Sequence, residues 1–277
     1  MKLERKHYLS KVRRMVVKIG SSLLTNGKAG GIQSRFLGNL ARQIHQLQKR
    51  GMEVLIVTSG AISAGLFELG LSRRPKEIPV LQALAAVGQS NLMHAYERMF
   101  GKHGLKVAQL LLTWDDLASR KRYMNARNTL TQIFRHQIIP IVNENDTVAV
   151  EEIRFGENDT LAGLVAQLVQ ANLLVILTDT EGFFNEDPRL NPQAKLLSDV
   201  YHLDSNLEKS ATRSNSQVGT GGMVTKIAAA KKMMRAGTPV VIANGSRNKV
   251  LVRILAGQTI GTFFHPIMSR AGTGKFH

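Results

Sequence analysis

Short runs of apolar residues alternate along this chain with longer stretches in which apolar residues recur at helical spacing. The short runs predict six β-strands: Met15–Ile19, Glu53–Thr58, Val107–Leu112, Ile138–Val142, Leu173–Thr178 and Pro239–Ala243. The longer stretches predict six helices: Ser34–Arg50, Ile62–Leu69, Pro79–Phe100, Tyr123–His136, Asp159–Gln170 and Gly222–Ala236. Such alternation is typical of an α/β fold with a mainly parallel central sheet sandwiched by helices.

Polar residues stand at the ends of four of these predicted strands. They are Lys18, Ser59, the segment Asn143 to Asp146, and Thr178 with Asp179. In open parallel sheets, ligands bind at the carboxyl ends of the strands. We therefore expect these side chains to line one site.

The segment Thr147–Phe155 does not fit the helical pattern. Two apolar runs flank Glu151 and Glu152 there, which predicts a hairpin projecting from the sheet near the substrate site. No linker-like stretch divides the chain, so we expect one domain over residues 1–265. The glycine-rich, basic residues 266–277 are expected to form a short, loose tail.

Composition narrows the class of protein. A chain of 277 residues with 43% hydrophobic residues can bury a large core. The absence of cysteine excludes disulfides and permits a reducing cytoplasm, where we expect this protein. No apolar run reaches the roughly 18–20 residues of a membrane span, so we expect no membrane partner. The eight histidines show no metal-ligand spacing, so no metal site built from protein side chains is expected.

The charge raises nucleic acid as a possible partner, because 37 Lys and Arg against 20 Asp and Glu give a net charge of +17. The positive residues are scattered, and aromatic residues at 5% offer few platforms for stacking bases. We expect a diffuse basic surface and no specific nucleic-acid site. The salt dependence of binding would decide between these alternatives.

Two segments far apart in sequence have the composition of phosphate-binding loops. The first, residues 16–22, is an apolar run ending in a lysine, a glycine and two serines. The second, residues 219–226, is glycine-rich and carries Lys226 at the start of a predicted helix. Neither has the spacing of a P-loop, so the pair suggests phosphoryl transfer on another scaffold.

Three further segments offer candidate ligand groups, each with a structural alternative. Ser59 and Gly60 follow a strand and open a helix, which suits an anion but also suits tight packing and an N-cap. Two Asn-Asp dipeptides bracket the predicted hairpin and could hold an amino acid, with Asp146 on its ammonium and Asn158 on its carboxylate. Asp159 could equally be an N-cap. The segment from Thr178 could hold a nucleotide base and ribose, or be an ordinary acidic loop.

These residues together resemble the amino acid kinase family, and within it the glutamate kinases. The resemblance covers about residues 15 to 265 and rests on seven segments: 17–23, 59–65, 85–89, 123–129, 140–148, 155–159 and 219–226. The opening Lys-Gly pattern is shared by the wider family. The segments N-A-R-N-T and N-E-N-D-T-V resemble the glutamate kinases in particular.

The resemblance implies a carbamate kinase-like fold and ATP-dependent phosphorylation of the γ-carboxylate of L-glutamate to L-glutamyl 5-phosphate, the first step of proline biosynthesis. A related family member with another acid substrate remains the alternative. The resemblance places Lys18, Lys226 and Asp159 in the catalytic group, with Asp159 between the two lysines. It places glutamate on Ser59, Asp146 and Asn158. The implied ATP-binding residues are Lys18, Gly20, Ser21, Thr178, Asp179, Thr220, Gly221, Gly222, Met223, Val224, Thr225 and Lys226.

The resemblance also implies Mg²⁺ bridging the phosphates, a homo-oligomer such as a dimer or tetramer, and feedback inhibition by L-proline. Two departures from the family pattern stand out. Many members carry a C-terminal PUA domain, and we expect none here because the sequence stops soon after residue 265. The loop after Asp179 contains Phe183 and Phe184 where relatives often show a Leu-Tyr pair, which predicts an altered base pocket.

Overall fold

The computed structural model describes residues 4–25, 31–148, 158–204, 207–208 and 222–267. The strands are β1 (Arg14–Ile19), β2 (Glu53–Val57), β3 (Val107–Leu112), β4 (Ile139–Glu144), β5 (Leu173–Thr178), β6 (Asp199–Val200), β7 (Val240–Asn244) and β8 (Thr262–Phe264). The helices in these residues are α1 (Arg5–Leu9), α2 (Ser21–Leu24), α3 (Ser34–Gln48), α4 (Ala61–Glu68), α5 (Ile78–Gly101), α6 (Trp114–Ala118), α7 (Arg120–Arg135), α8 (Asn158–Leu168), α9 (Met223–Arg235) and α10 (Val250–Leu255).

The strands form one eight-stranded sheet in the order β3-β4-β2-β1-β5-β7-β8-β6. Every pairing is parallel except that between β7 and β8. Every residue of β5 is buried, as expected for a central strand covered on both faces by helices. The predicted α/β architecture with a mainly parallel sheet is thus confirmed.

Side chains of β1 alternate between two separate cores, one on each face of the sheet. Met15, Val17 and Ile19 pack in the core formed with α3, α5 and α10. Val16 packs in the core formed with α7, α8 and α9. Because successive strand residues point to opposite faces, Lys18 lies on the same face as Val16 and points toward α8 and α9.

The carboxyl ends of four parallel strands meet at one edge of the sheet, because β4, β2, β1 and β5 are neighbours in that order. The predicted polar residues therefore come together as expected. Asn143 lies in β4, Ser59 follows β2, Lys18 is the next-to-last residue of β1, and Thr178 ends β5. Their convergence is a consequence of strand order and not of sequence proximity.

Helices α4 and α5 cross at very short range, and two glycines permit the contact. A Cβ added at Gly88 would lie 1.8 Å from the Ala61 carbonyl oxygen, and one at Gly65 would lie 2.0 Å from the Leu84 carbonyl oxygen. No side chain fits at either position without moving a backbone. The crossing fixes α5 against the first turn of α4, which starts at the candidate site.

All six predicted strands and all six predicted helices are present, with ends that differ by at most three residues. The short elements α1, α2, α6, α10, β6 and β8 were not predicted. The predicted hairpin lies almost wholly outside the described residues, and so does the predicted tail beyond Ile267. Within the described part of the chain, none of the helices combines the length and apolar character needed to cross a bilayer.

Candidate active site

Two lysines from distant parts of the chain share one buried carboxylate. The Lys18 Nζ lies 2.7 Å from Asp159 Oδ1, and the Lys226 Nζ lies 3.2 Å from Asp159 Oδ2. All three side chains are buried, and that of Asp159 is fully so. A buried carboxylate flanked by two ammonium groups leaves one net positive charge at the edge of the sheet.

Local structure explains why these three side chains meet. Lys18 is carried by β1 on the face that packs against α8 and α9, Asp159 lies in the first turn of α8, and Lys226 lies in the first turn of α9. The Thr225 hydroxyl donates a hydrogen bond to Asp159 Oδ2 at 2.7 Å. The amino ends of α8 and α9 thus face the same point, and helix amino ends favour negatively charged ligands.

Neighbouring positive charges keep the central carboxylate ionised. Burial alone would raise the pKa of Asp159, but the two ammonium groups and the hydrogen bonds from Lys18 and Thr225 lower it to about 2. Burial lowers the pKa of Lys18, and the positive charge of Lys226 lowers it further, while Asp159 opposes both effects. Asp159 is therefore a carboxylate at any physiological pH.

A cluster of amides lies beside this group, at the ends of β2 and β4. The Asn158 side-chain nitrogen lies 2.9 Å from the Thr58 carbonyl oxygen, 3.0 Å from Ser59 Oγ and 3.0 Å from Asn143 Oδ1. The Asn143 nitrogen donates in turn to Gln89 Oε1 at 2.8 Å. Because Asn158 and Asp159 are adjacent, the amide cluster and the lysine pair form one continuous site.

The two hydrogens of the Asn158 amide are already used, which changes the role expected of this residue. Its amide has two hydrogens, and the Thr58 carbonyl and Asn143 Oδ1 can only accept, so these two contacts use both. The group left for a ligand is Asn158 Oδ1, which accepts, and no residue in the described ranges bonds to it. An accepting oxygen suits an ammonium and not the carboxylate that the sequence suggested. The Ser59 hydroxyl keeps its hydrogen and can donate it.

The conformation of Gly60 and a hydrogen bond of Thr58 fix the backbone around Ser59. Gly60 has a φ of +93°, a left-handed conformation that glycine adopts without strain, and it caps α4 in place of Ser59. Thr58 is hydrogen-bonded to the Tyr96 hydroxyl at 2.9 Å inside the core. Burial raises the pKa of Tyr96, so this phenol stays neutral. Ser59 is thus free of the N-cap role that was its structural alternative.

The candidate nucleotide side lies across β1 from the amide cluster. Thr178 ends β5 and donates from its hydroxyl to Asp179 Oδ1 at 3.1 Å, and Asp179 is exposed. The Gly20 N–H donates to the Leu177 carbonyl at 3.1 Å and belongs to the β1–β5 pairing. Because this N–H is already used, Gly20 cannot donate it to a phosphate, which would need other donors. Gly20 contributes to this surface only by lacking a side chain.

Comparison with known proteins identifies the family. The family model described as "Amino acid kinase family" matches residues 13–244 of the chain. This chain belongs to the amino acid kinase family. Curated relatives named glutamate 5-kinase include one from Geobacter metallireducens, 51% identical over 93% of this chain and 69% of its own length. Another, from Geobacter sulfurreducens, is 52% identical over the same shares of the two chains.

Solved structures agree with the amino acid kinase fold. The UMP kinase from Bacillus anthracis has a TM-score of 0.59 at 17% identity, covering 93% of this chain and 97% of that one. The UMP kinase from Ureaplasma parvum has a TM-score of 0.61 at 16% identity, covering 92% and 99%. At such low identities these two similarities concern the fold alone.

Most residues that the sequence singled out are placed at this site of the amino acid kinase chain. Lys18, Asp159 and Lys226 are in contact, and Ser59 Oγ lies 3.0 Å from the Asn158 side-chain nitrogen. Asp146 is half-buried in the turn after β4. Thr220 and Gly221 lie outside the described residues, while the segment from Gly222 to Lys226 forms the start of α9.

Sequence reasoning assigned no role to Gln89 and no specific contact to Asn143, although both lie in segments that carried the resemblance. Asn143 was marked by its place at the end of a strand, whereas Gln89 had no such signal. The structure also changes the meaning of Phe183. Its side chain is buried and stacks on Phe264 at 6.2 Å, so it is a core residue. A base pocket altered at Phe183 itself is not supported.

Proposed function

We propose that this chain transfers the γ-phosphoryl group of ATP to the γ-carboxylate of L-glutamate, giving ADP and L-glutamyl 5-phosphate. The observation that carries the proposal is the Lys18–Asp159–Lys226 group lying directly beside the amide cluster around Asn158. Relatives named glutamate 5-kinase support the choice of glutamate. The reaction would be the first step of proline biosynthesis, and we expect it to take place in the cytoplasm.

The proposed chemistry requires positioning and positive charge, and no general base. The glutamate γ-carboxylate is ionised at neutral pH, so one of its oxygens can attack the γ-phosphorus directly. A bond forms between that oxygen and phosphorus, the bond from phosphorus to the β,γ-bridging oxygen breaks, and its electron pair leaves with ADP. Lys18 and Lys226 would stabilise the charge on the transferring group and on ADP. Asp159 would hold both ammonium groups in place.

Glutamate recognition follows from donor and acceptor chemistry at the amide cluster. Asn158 Oδ1 and the carboxylate of Asp146 would accept from the α-ammonium group, and the Ser59 hydroxyl would donate to the α-carboxylate. For Asn158 Oδ1 and the Ser59 hydroxyl, these roles use groups that remain after the internal hydrogen bonds are counted. It would discriminate against acids that lack an α-ammonium group.

For ATP, we propose the surface formed by Gly20, Ser21, Thr178, Asp179 and the segment from Thr220 to Lys226, including Met223, Val224 and Thr225. Mg²⁺ bound with the nucleotide would neutralise charge on its phosphates. Asp159 is a poor ligand for this ion, because both of its oxygens already lie against lysines. We expect the ion to be held through nucleotide oxygens and water.

The proposed reaction is tested by following ADP release with Mg-ATP and L-glutamate in the presence of hydroxylamine, which traps an acyl phosphate as a hydroxamate. Glutamate-dependent hydroxamate supports the proposal. Hydroxamate or ADP formed only with aspartate, N-acetylglutamate or another acid would keep the kinase chemistry and overturn the substrate. If no acid gives ADP or hydroxamate, the proposed reaction is overturned.

The amino acid kinase resemblance also leads us to expect a homo-oligomer and inhibition by L-proline at the glutamate site. Proline carries the same α-ammonium and α-carboxylate groups as glutamate, so the groups around Asn158 and Asp146 could bind it. Initial rates at several proline concentrations, with glutamate varied, would test this. Unchanged rates at saturating proline would contradict it. Specific nucleic-acid binding is not expected.

A further inference from the structure

The amide cluster continues away from the ligand side into the core, and it ends at Gln89. Gln89 lies within α5, and its Oε1 accepts from the Asn143 nitrogen at 2.8 Å. Asn143 Oδ1 accepts from Asn158, whose nitrogen also donates to the Thr58 carbonyl and lies 3.0 Å from Ser59 Oγ. Three amides thus form a chain from the candidate glutamate site to the middle of a helix.

The direction of this chain is fixed by one backbone group. The Thr58 carbonyl can only accept, so the Asn158 atom beside it is the amide nitrogen. That nitrogen also faces Asn143, which must present its oxygen and therefore turns its own nitrogen to Gln89. Gln89 must then present Oε1. Rotating any one of the three amides by half a turn would place two donors or two acceptors in contact.

In this orientation, the side-chain nitrogen of Gln89 makes no hydrogen bond to a described residue. The side chain is buried, with 9% of its surface exposed, and its Nε2 has no hydrogen-bond partner among the described residues. A buried donor without a partner is costly, and an apolar side chain would pack there more favourably. Packing therefore does not account for an amide at this position, whereas holding Asn143 does.

The backbone at Gln89 is also held firmly. The neighbouring residue Gly88 is the point at which α5 touches α4, where a Cβ would lie 1.8 Å from the Ala61 carbonyl oxygen. Ala61 follows Ser59 by two residues, so the helix that carries Gln89 is fixed against the segment that carries Ser59. Gln89 can thus act as a rigid reference for the amides next to the ligand.

We propose that Gln89 is a positioning residue for the glutamate site, acting through Asn143 to keep Asn158 Oδ1 directed at the substrate ammonium. This inference rests on the proposed function. Gln89 contacts neither lysine of the catalytic group, so its effect is on glutamate affinity and leaves ATP affinity unchanged.

Three substitutions of Gln89 test separately the length of its side chain and the oxygen that it presents to Asn143. Gln89→Glu keeps an accepting oxygen at the same distance from Asn143, in either protonation state. Gln89→Asn keeps the amide but withdraws it by one methylene, and Gln89→Met keeps the length but removes the oxygen. We expect Gln89→Asn and Gln89→Met to raise the KM for glutamate by about tenfold, as for the loss of one buried hydrogen bond. Gln89→Glu should stay within about threefold of the parent on the same scale.

Gln43→Met is the matched control. Gln43 is also a buried glutamine in a helix, and its Oε1 accepts from the Leu251 N–H at 2.9 Å where α3 packs against α10. This variant should lose stability without a change in the KM for glutamate or for ATP. Circular dichroism and melting temperature establish that each variant is folded before kinetics are measured.

The KM values of the variants relative to the parent decide the outcome. A glutamate KM that rises in Gln89→Asn and Gln89→Met, is restored in Gln89→Glu and is unmoved in Gln43→Met supports the proposal. If Gln89→Met does not fold, the Asn and Glu variants carry the comparison. A glutamate KM unchanged in folded Gln89→Asn, or an ATP KM that rises equally, overturns it. Parent enzyme that prefers another acid overturns the glutamate assignment alone, and the variants are then compared on that acid.

Discussion

Asp159 is the residue whose surroundings differ most from those of a surface carboxylate, since two ammonium groups and a hydroxyl lie against its two oxygens. Each lysine is desolvated and lies against this carboxylate. A lysine of this kind can turn toward an incoming phosphate with little reorganisation, which is how preorganised positive charge lowers a barrier. Substitutions at this group should therefore affect turnover more than folding.

Lys226→Ala tests the role of the second lysine. We expect the turnover number to fall by about a hundredfold or more, because charge on the transferring group loses one of two buried partners. Lys232→Ala is the control, since Lys232 is an exposed lysine of the same helix. Steady-state kinetics and melting curves of both variants give the comparison. Equal turnover in the two folded variants would remove Lys226 from the catalytic group.

The lowered pKa of Asp159 predicts how stability depends on acid. The carboxyl has a pKa of about 2 in the folded protein, against an ordinary value of 3.8. Its contribution is fully present above about pH 4 and is lost as the pH falls through 2, at on the order of 2 kcal/mol. Denaturant unfolding at pH 5 and pH 2 measures it in the parent and in Asp159→Asn. A parent that loses no more free energy of unfolding than the variant would contradict the prediction.

Among the elements, the crossing of α4 and α5 is the most demanding sterically. Gly88→Ala would place a Cβ 1.8 Å from the Ala61 carbonyl oxygen, so one helix must move. We expect a loss of about 3 kcal/mol or more in the free energy of unfolding. The glutamate site should weaken as well, because Ser59 and Gln89 lie on either side of the crossing.

Gly101→Ala is the matched control for this crossing. Gly101 ends the same helix, and a Cβ there meets nothing within 4 Å. Alanine should be neutral or stabilising by up to about 1 kcal/mol, since it is the better helix former. Urea unfolding of both variants measures the difference. A Gly88→Ala protein as stable as Gly101→Ala would show that the crossing is looser than described.

The sequence predicted the longer elements well because each carries enough residues for a period to appear. Strands such as Leu173–Thr178 are continuous apolar runs and were found at their observed bounds. The strands Asp199–Val200 and Thr262–Phe264 have two and three residues, too few for any pattern. Their pairing is set by tertiary contacts alone.

Only some residues of the site could be predicted from the sequence. Lys18, Asp159 and Lys226 were named from family resemblance, because no spacing rule joins residues 141 and 67 positions apart. Gln89 lies in a mostly apolar helix and its partner is 54 residues away, so its function appears only once distances are known. The two hydrogens of Asn158 could likewise be assigned only from its three contacts.

At the scale of the whole molecule, the first helix is attached to the far edge of the sheet. The Arg5 guanidinium lies 3.3 Å from Asp199 Oδ2 and 3.3 Å from the Gln258 carbonyl oxygen, and it also donates to the Ser198 carbonyl. His265 lies 2.9 Å from the same aspartate. Burial would raise the pKa of Asp199, but the hydrogen bond from His265 and the neighbouring Arg5 lower it.

Arg5→Met should loosen this edge without touching the catalytic group. Its removal leaves Asp199 and two carbonyls short of a donor, so we expect a loss of about 1–3 kcal/mol in the free energy of unfolding. Amide hydrogen exchange should increase around β6 and β8, while the kinetic constants stay the same. Arg13→Met, an exposed arginine just before β1, is the control. Equal exchange in both variants would show that the Arg5 contacts do not stabilise the edge.

The order of strands in the sheet also bears on how the chain is made by the ribosome. β5 can pair with β1 once residue 178 has emerged, but its other side is covered only by β7, at residues 240–244. Until then the nascent chain exposes an unpaired apolar strand edge, the kind of surface on which chains associate wrongly. Over the same interval Asp159 has Lys18 as a partner but not yet Lys226. Pairing of the second edge of β5 and completion of the Lys18–Asp159–Lys226 group thus both wait for residues 226–244.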